Sequence, residues 1–406
     1  MGVLKKSGDA VGVNKKLSSK KRKTILLKQC LSFFALSILV VSFQNCSAPF
    51  AIKSSSELSS GEALPPTSTP VPQGKTTVFF ANGHMGRTVI SCDDGRTWIR
   101  DRSADDNARC WTNGDPNYVE CDHSVYAGRG VDASSDGYFY INNGWGYNGE
   151  ARRTRDNVTF ETVRTGGWGG GIASFGSDLF LLWGAWPTST NGGATWTSRT
   201  DGIDYSYDHP DLVRIGERLF VKDRAGKLIL SLDHGRTWLQ TTGLGSFPIN
   251  AIASNGGSQF VAIGQAGTPT VPYSAKSNDG GITWTTTVVA NADLQNSWLS
   301  SLAYDGSTYI SWINGKAVKS TDGVTWVSQN FTYPNGGSTS GNLVRFNPAT
   351  HTFVTIDATW GSWYGSQSAY RSADGIAWTK LSSAAFKGGH PMNQITVGEI
   401  DKSLCP

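Results

Sequence analysis

The chain has 406 residues, of which 17% are charged, with 48 glycines, 15 tryptophans and 13 tyrosines. Strand-favouring rings and turn-favouring glycines at this density point to an all-β fold. The formal charge of +4 is concentrated at one end: the first 45 residues hold nine Lys or Arg against Asp9, and the 27 basic and 31 acidic residues beyond them sum to about −4, with no basic stripe, which excludes a nucleic-acid partner.

The basic opening runs into LSFFALSILVVSF, Leu31 to Phe43. A cationic stretch followed by an apolar run too short to span a bilayer reads as a secretory signal over residues 1–45. The run ends in SFQNC, so Cys46 stands where a bacterial lipoprotein signal places its lipid-modified cysteine. Ordinary signal-peptidase cleavage, leaving Cys46 as a spare thiol, is the competing reading. Residues 46–74 are rich in Ser, Thr and Pro, as in SSSELSSGEALPPTSTPVPQG. They cannot bury enough apolar surface to offset their ordering entropy, so a disordered tether joined to the bilayer through Cys46 is expected.

From residue 75 to residue 406 one short pattern returns seven times. SCDDGRTW (Ser91 to Trp98), STNGGATW (Ser189 to Trp196), SLDHGRTW (Ser231 to Trp238) and SNDGGITW (Ser277 to Trp284) are eight residues long. TRDNVTF (Thr154 to Phe160), STDGVTW (Ser320 to Trp326) and SADGIAW (Ser372 to Trp378) are one residue shorter. Asp or Asn before Gly between two β-prone runs is a hairpin signal, because Gly takes a positive φ without steric cost. The carboxylate can accept the turn's unpaired N–H groups, and the Trp is large enough to act as a packing peg. A symmetric repeat cannot bring seven acids into one site, so these aspartates are scaffold.

The pattern resembles the Asp-box of the sialidase-like, or BNR, repeat family, in which the box is the hairpin between the third and fourth strands of a propeller blade. The resemblance implies a seven-bladed β-propeller of four-stranded antiparallel blades over residues 75–406. Segments such as INAIASNGGSQFVAIG, Ile249 to Gly264, precede each box and supply the first two strands. The first unit begins at TTVFFANG, Thr76 to Gly83, which matches a second strand, while HPMNQITVGEI, His390 to Ile400, matches a first strand with no blade to follow. The C-terminal strand is therefore expected to pair in blade 1 and close the ring, removing open edges. A closed monomer is the expectation.

Four cysteines follow Cys46, and in an exported chain an even set pairs, with three connectivities to choose from. Cys110 and Cys121 share one long loop, which leaves Cys92, in the turn of blade 1, for Cys405, just past the closing strand. No metal site or cofactor is expected, since the Cys and His spacing of a zinc site is absent.

Strand alternation puts the boxes on one face and the remaining loops on the other. That second face holds Trp111, Trp145, Trp168, Trp186, Trp298, Trp360 and Trp363, with Tyr147, Tyr205, Tyr207, Tyr333 and Tyr364. Flat amphipathic rings beside small polar residues suit a sugar-binding surface. The stretch DGIDYSYDHPD adds Asp204, Asp208 and His209. The candidate ligand-binding set is Trp145, Tyr147, Trp168, Trp186, Asp204, Tyr205, Asp208, His209, Trp298 and Trp363. Sialidases, the best-known relatives, hold a substrate carboxylate with three arginines, the first in a Phe/Tyr-Arg-Ile-Pro motif before the first box. No such motif precedes Ser91, and VRIG, Val213 to Gly216, lies in mid-chain without the proline. Sialidases also have six blades, so no catalytic residue is carried over. The expectation is an exported, lipid-anchored protein of a bacterial cell envelope that binds a glycan or other surface ligand without turning it over. A glycoside hydrolase working through a carboxylate pair and a platform for envelope proteins are the alternatives.

Overall fold

A computed structural model describes residues 72–83, 87–101, 128–143, 150–165, 170–182, 186–198, 212–222, 227–245, 247–266, 271–291, 294, 301–313, 316–330, 343–356, 369–381 and 392–406. All lie in the compact unit Leu64–Pro406.

This unit is an all-β propeller of seven antiparallel blades. Blade 1 contains β1 (Lys75–Gly83) and β2 (Thr88–Ser91). Blade 2 is built from β3 (Gly128–Ala133), β4 (Phe139–Asn143), β5 (Glu150–Thr154) and β6 (Glu161–Thr165), and blade 3 from β7 (Ile172–Phe175), β8 (Asp178–Leu181) and β9 (Thr188–Ser189). Blade 4 holds β10 (Val213–Ile215), β11 (Arg218–Lys222), β12 (Leu228–Ser231) and β13 (Leu239–Gln240). In blade 5 the strands are β14 (Ile249–Ser254), β15 (Phe260–Ala266), β16 (Val271–Ser277) and β17 (Thr285–Val288). Blade 6 runs β18 (Ser301–Tyr304), β19 (Tyr309–Ile313), β20 (Lys316–Ser320) and β21 (Val327–Asn330). Blade 7 runs β22 (Leu343–Asn347), β23 (Thr352–Ile356), β24 (Ala369–Ser372) and β25 (Trp378–Lys380). The last strand, β26 (Met392–Asp401), returns to blade 1, and a 3-10 turn at Lys402–Leu404 follows it.

Within each blade the strands pair in chain order, apart from the closure. In blade 1 the order is β2, β1, β26, so the C-terminal strand occupies the innermost position as the sequence implies. It runs from Met392 to Asp401, two residues later at its start and one at its end than the segment His390 to Ile400 suggests, and it pairs from Lys75 with Asp401 to Gly83 with Met392. Blades 1 and 3 keep their fourth strand as a single bridge, Ile90 with Ile99 and Thr188 with Thr197.

The second strand of each blade explains why these segments read as continuous apolar runs rather than as alternating ones. Phe260 and Ala262 of β15 face blade 4, among Phe220 and Leu230. Val261 and Ile263 of the same strand face blade 6, among Tyr309 and Val318. Both sides of the sheet are buried, so both sides are apolar. Where neighbouring inner strands crowd together, side chains vanish: a Cβ on Gly398 of β26 would stand 2.5 Å from the Ala133 Cβ of blade 2.

The repeated turn is a hydrogen-bonded unit in every blade. The Ser or Thr hydroxyl donates to the Asp or Asn two residues on, at 2.7–3.1 Å, from Ser91 with Asp93 to Ser372 with Asp374. The same hydroxyl accepts the N–H of the turn's closing αL residue, Gly95, Asn157, Gly193, Gly235, Gly281, Gly323 or Gly375. The side chain of the Asp or Asn then accepts the N–H of the residue before the aromatic peg, as Asp233 does from Thr237 at 2.7 Å. The two lengths of the motif have a backbone cause. The longer turn passes through two successive positive-φ residues (Asp94 and Gly95, Gly192 and Gly193, His234 and Gly235, Gly280 and Gly281), the shorter through one (Asn157, Gly323 or Gly375).

Cys92 and Cys405 form a disulfide with their Cα atoms 5.9 Å apart, joining the turn of blade 1 to the segment just past β26. Cys110 and Cys121 lie outside the described residues, as do residues 1–71, on which the expected signal, Cys46 and most of the expected tether fall. Two outcomes follow. Cys405→Ser, which opens a link between residues 313 positions apart, is expected to lower unfolding stability by about 2–5 kcal/mol, measured by urea denaturation at constant oxidant. Acid unfolding should also track the turns. Burial works to raise Asp279 and Asp322, but hydrogen bonds from Thr283 and Ser277, and from Thr325, Val324 and Ser320, outweigh it and bring both to about 2. A carboxylate lowered on folding contributes stability above its unfolded value, near 3.8, and loses it as pH falls through the folded one. Stability should therefore decline between about pH 4 and pH 2, and Asp279→Asn with Asp322→Asn should flatten that decline in an acid titration followed by circular dichroism.

Candidate functional site

Each turn reaches back to the preceding blade, which makes the box face a ring of straps. Asp94, held at φ 62, accepts hydrogen bonds from Thr350, from Thr352 at 2.7 Å and from the Arg371 guanidinium at 2.6 Å, all on blade 7. Burial works against its charge, but the Arg371, Thr350 and Thr352 hydrogen bonds prevail and hold its carboxyl below the usual range. Asn157 of blade 2 donates to the Arg100 carbonyl of blade 1, and Trp196 of blade 3 to Val163 of blade 2. Thr242, following the last strand of blade 4, pairs with Ile282 and Trp284 of blade 5. Ser274 donates to the Gly323 carbonyl across blades 5 and 6, and Trp312 to Gly375 across blades 6 and 7 at 2.9 Å.

The strap between blades 3 and 4 is built on an imidazole. His234 takes the αL place that glycine fills in the longer turns of blades 3 and 5. Its ring stacks on Phe175 with centroids 4.1 Å apart, and its nitrogens lie 2.7 Å from Asp178 Oδ2 and 2.8 Å from Glu217 Oε2. Arg236 also donates to Asp178. Burial pushes the Asp178 carboxyl up, but hydrogen bonds from His234 and Arg236 more than offset this and lower it.

On the inner strands a charged cluster draws on four blades, 2, 3, 4 and 7. Asp132 on β3 accepts from the Ser174 N–H of β7 at 2.7 Å and from Arg214 of β10 through Nε at 2.6 Å and Nη2 at 3.0 Å. Arg214 also donates to the Ala133 carbonyl at 2.9 Å. Burial raises the Asp132 carboxyl against the pull of Arg214. Arg345 of β22 donates to the Val344 carbonyl; burial lowers its guanidinium, and the Asp132 charge works the other way. Paired charges removed from water need this density of hydrogen bonds. Sequence reasoning passed over the cluster because Asp132 and Arg214 are 82 residues apart, though VRIG drew attention to the segment that holds Arg214.

Of the sequence-derived candidates, Trp186 is a correction. It is 3% exposed, packed edge-on against Phe180 and Trp238 with centroids at 5.9 and 5.1 Å, and belongs to the core between blades 3 and 4. A ring so enclosed offers no face to a ligand. Trp145, Tyr147, Trp168, Asp204, Tyr205, Asp208, His209, Trp298 and Trp363 lie outside the described residues. Among the described residues no group of three or more His, Cys, Asp or Glu is placed to hold a metal ion, and no helix is long and apolar enough to cross a membrane.

No protein-family model matches the chain, and no curated protein matches it. Solved structures resemble it at low identity. YCF48 bound to D1 peptide is 15% identical, with a TM-score of 0.46 over 66% of this chain and 90% of its own. The GH74 enzyme of Niastella koreensis is 13% identical, with a TM-score of 0.39 over 73% of this chain and 61% of its own. The extracellular domain of the one component system BT4673 from B. thetaiotaomicron is 13% identical, with a TM-score of 0.41 over 70% of this chain and 38% of its own. The activity or partner in each name belongs to that protein.

Asp132→Ala would leave Arg214 without its carboxylate and expose it to Arg345. A loss of about 3 kcal/mol is expected, and the double variant Asp132→Ala with Arg214→Met should recover part of it in the same urea denaturation.

Proposed function

We propose that this chain is a relative of the Asp-box propellers, exported and anchored through Cys46, that binds a glycan or other surface ligand on its loop face without turning it over. The observation that supports this reading is that the box face is occupied by its own structure, which leaves ligand binding to the other loops. On the box face the turns' carboxylates and backbone are committed to one another and to the straps between blades. In the sequence, Trp145, Tyr147, Trp168, Trp298 and Trp363, together with Asp204, Tyr205, Asp208 and His209, fall in segments between strands other than the repeated turns, which strand alternation assigns to the opposite face. Rings that stack on a sugar face, bordered by groups that bond its hydroxyls, make a lectin-like surface on a rigid frame. An envelope protein docking on the same rings is the competing partner.

A glycan array probed with the purified protein, with Trp145→Ala and Trp363→Ala beside it, tests the reading. Binding by the wild type and a loss of about tenfold or more in the variants is the expected result. A blank array from folded protein contradicts it, and release of free sugar from a bound glycan would replace it with hydrolysis.

A further inference from the structure

The charged side chains that meet on the inner strands do not balance. Successive inner strands touch one another around the ring, β22 with β26, β26 with β3 and β3 with β7, so Arg345 of β22 and Asp132 of β3 stand on either side of β26. Arg345 lies opposite Val354 in the register of β22 and β23, and Val354 packs in the core between blades 7 and 1. Residues opposite each other across a strand pair share a face. The Arg345 side chain therefore leaves its blade on the side that looks toward β26 and, beyond it, β3.

Asp132 is committed elsewhere. Its Oδ2 accepts the Ser174 N–H at 2.7 Å and Arg214 Nε at 2.6 Å, and its Oδ1 accepts Arg214 Nη2 at 3.0 Å. Arg214 is used up in turn, with Nη2 also donating to the Ala133 carbonyl and Nη1 to the Gly216 carbonyl at 3.4 Å. One carboxylate is thus set against two guanidinia, and Arg345 carries the surplus charge.

Among the described residues Arg345 makes a single hydrogen bond, from Nη1 to the Val344 carbonyl at 3.0 Å, and no carboxylate stands within ion-pair distance of it. A guanidinium has five N–H donors, so its Nε and Nη2 edge is open. That is the edge with which Arg214 grips Asp132. The Arg345 side chain is half-buried, and burial works against its charge. A cation drawn out of water without a bonded counter-charge is costly, and an open guanidinium fork fits two oxygens of a phosphate or a sulfate as it fits those of a carboxylate. One surplus charge and one open fork call for one small ion rather than for an acidic polymer.

We infer that Arg345 binds a small inorganic oxoanion, phosphate or sulfate, at the inner edge of blade 7, as the counter-charge that Asp132 does not supply. The site is separate from the loop face and does not depend on the glycan reading.

The test is titration of the purified protein with sodium phosphate, sodium sulfate and sodium chloride at matched ionic strength, read at the Arg345 Nε–H resonance in nitrogen-15 NMR. The resonance is assigned in the wild type, so the reading does not require a variant to fold. A saturable shift with phosphate or sulfate is expected, with chloride at least about tenfold weaker. Melting temperatures measured alongside should rise with the oxoanion in the wild type. They should rise less in Arg345→Met, which keeps the aliphatic stem and shows only the general effect of an excluded salt. No saturable shift in the wild type, or an equal rise in both proteins, would overturn the site. Chloride binding as tightly as the oxoanions would overturn the bidentate assignment.

Discussion

The pairing of β26 with β1 is the constraint on which the rest of the molecule depends. A propeller blade buries both faces of its sheet against its neighbours, so a ring with one seam open would leave two apolar faces in water. Here that seam is closed by the last strand of the chain, with Ile395 and Met392 packed toward Val354 and Ile356 of blade 7, and Ile400 packed among Phe139 and Ile141 of blade 2. The Cys92–Cys405 bond restrains the same strand covalently. Neighbouring blades thus act on one another around a circuit, and no blade has a free side.

Closure also sets the division of labour between the two faces. The turn geometry fixes a short, self-satisfied connection at one end of every blade, and in the four longer turns the first positive-φ residue varies, being Asp94, Gly192, His234 or Gly280. Asp94 uses that freedom to hold Arg371, and His234 uses it to meet Asp178 and Glu217. A non-glycine residue in a left-handed conformation is uncommon for steric reasons, and Asp and His are among those that enter it most readily. Both have partners on the preceding blade, Arg371 for Asp94 and Asp178 for His234, and His234 has a further one, Glu217, on its own.

How much of this was legible in the sequence follows from how local each interaction is. The braces of the turn act within four residues, so Ser231, Asp233, Gly235 and Thr237 announce their structure in order. The closure was also legible, because a strand without a blade and a blade without a strand are complementary gaps in a repeat. The straps were not. Nothing in SCDDGRTW says that its second acid will meet an arginine 277 residues later, and nothing near Val213 says that Arg214 will find Asp132. Trp186 shows the same limit from the other side. Its position between strands reads as a surface loop, but the burial that decides its role comes from Trp238 of the next blade.

The most direct test of this account is removal of residues 392–406, followed by hydrogen exchange across the remaining chain. If the ring depends on its closing strand, exchange should accelerate in β1 and β2 and in the facing strands of blades 2 and 7, and the single cooperative unfolding transition should be lost. Retention of native protection in blades 1, 2 and 7, with an unchanged transition, would contradict it.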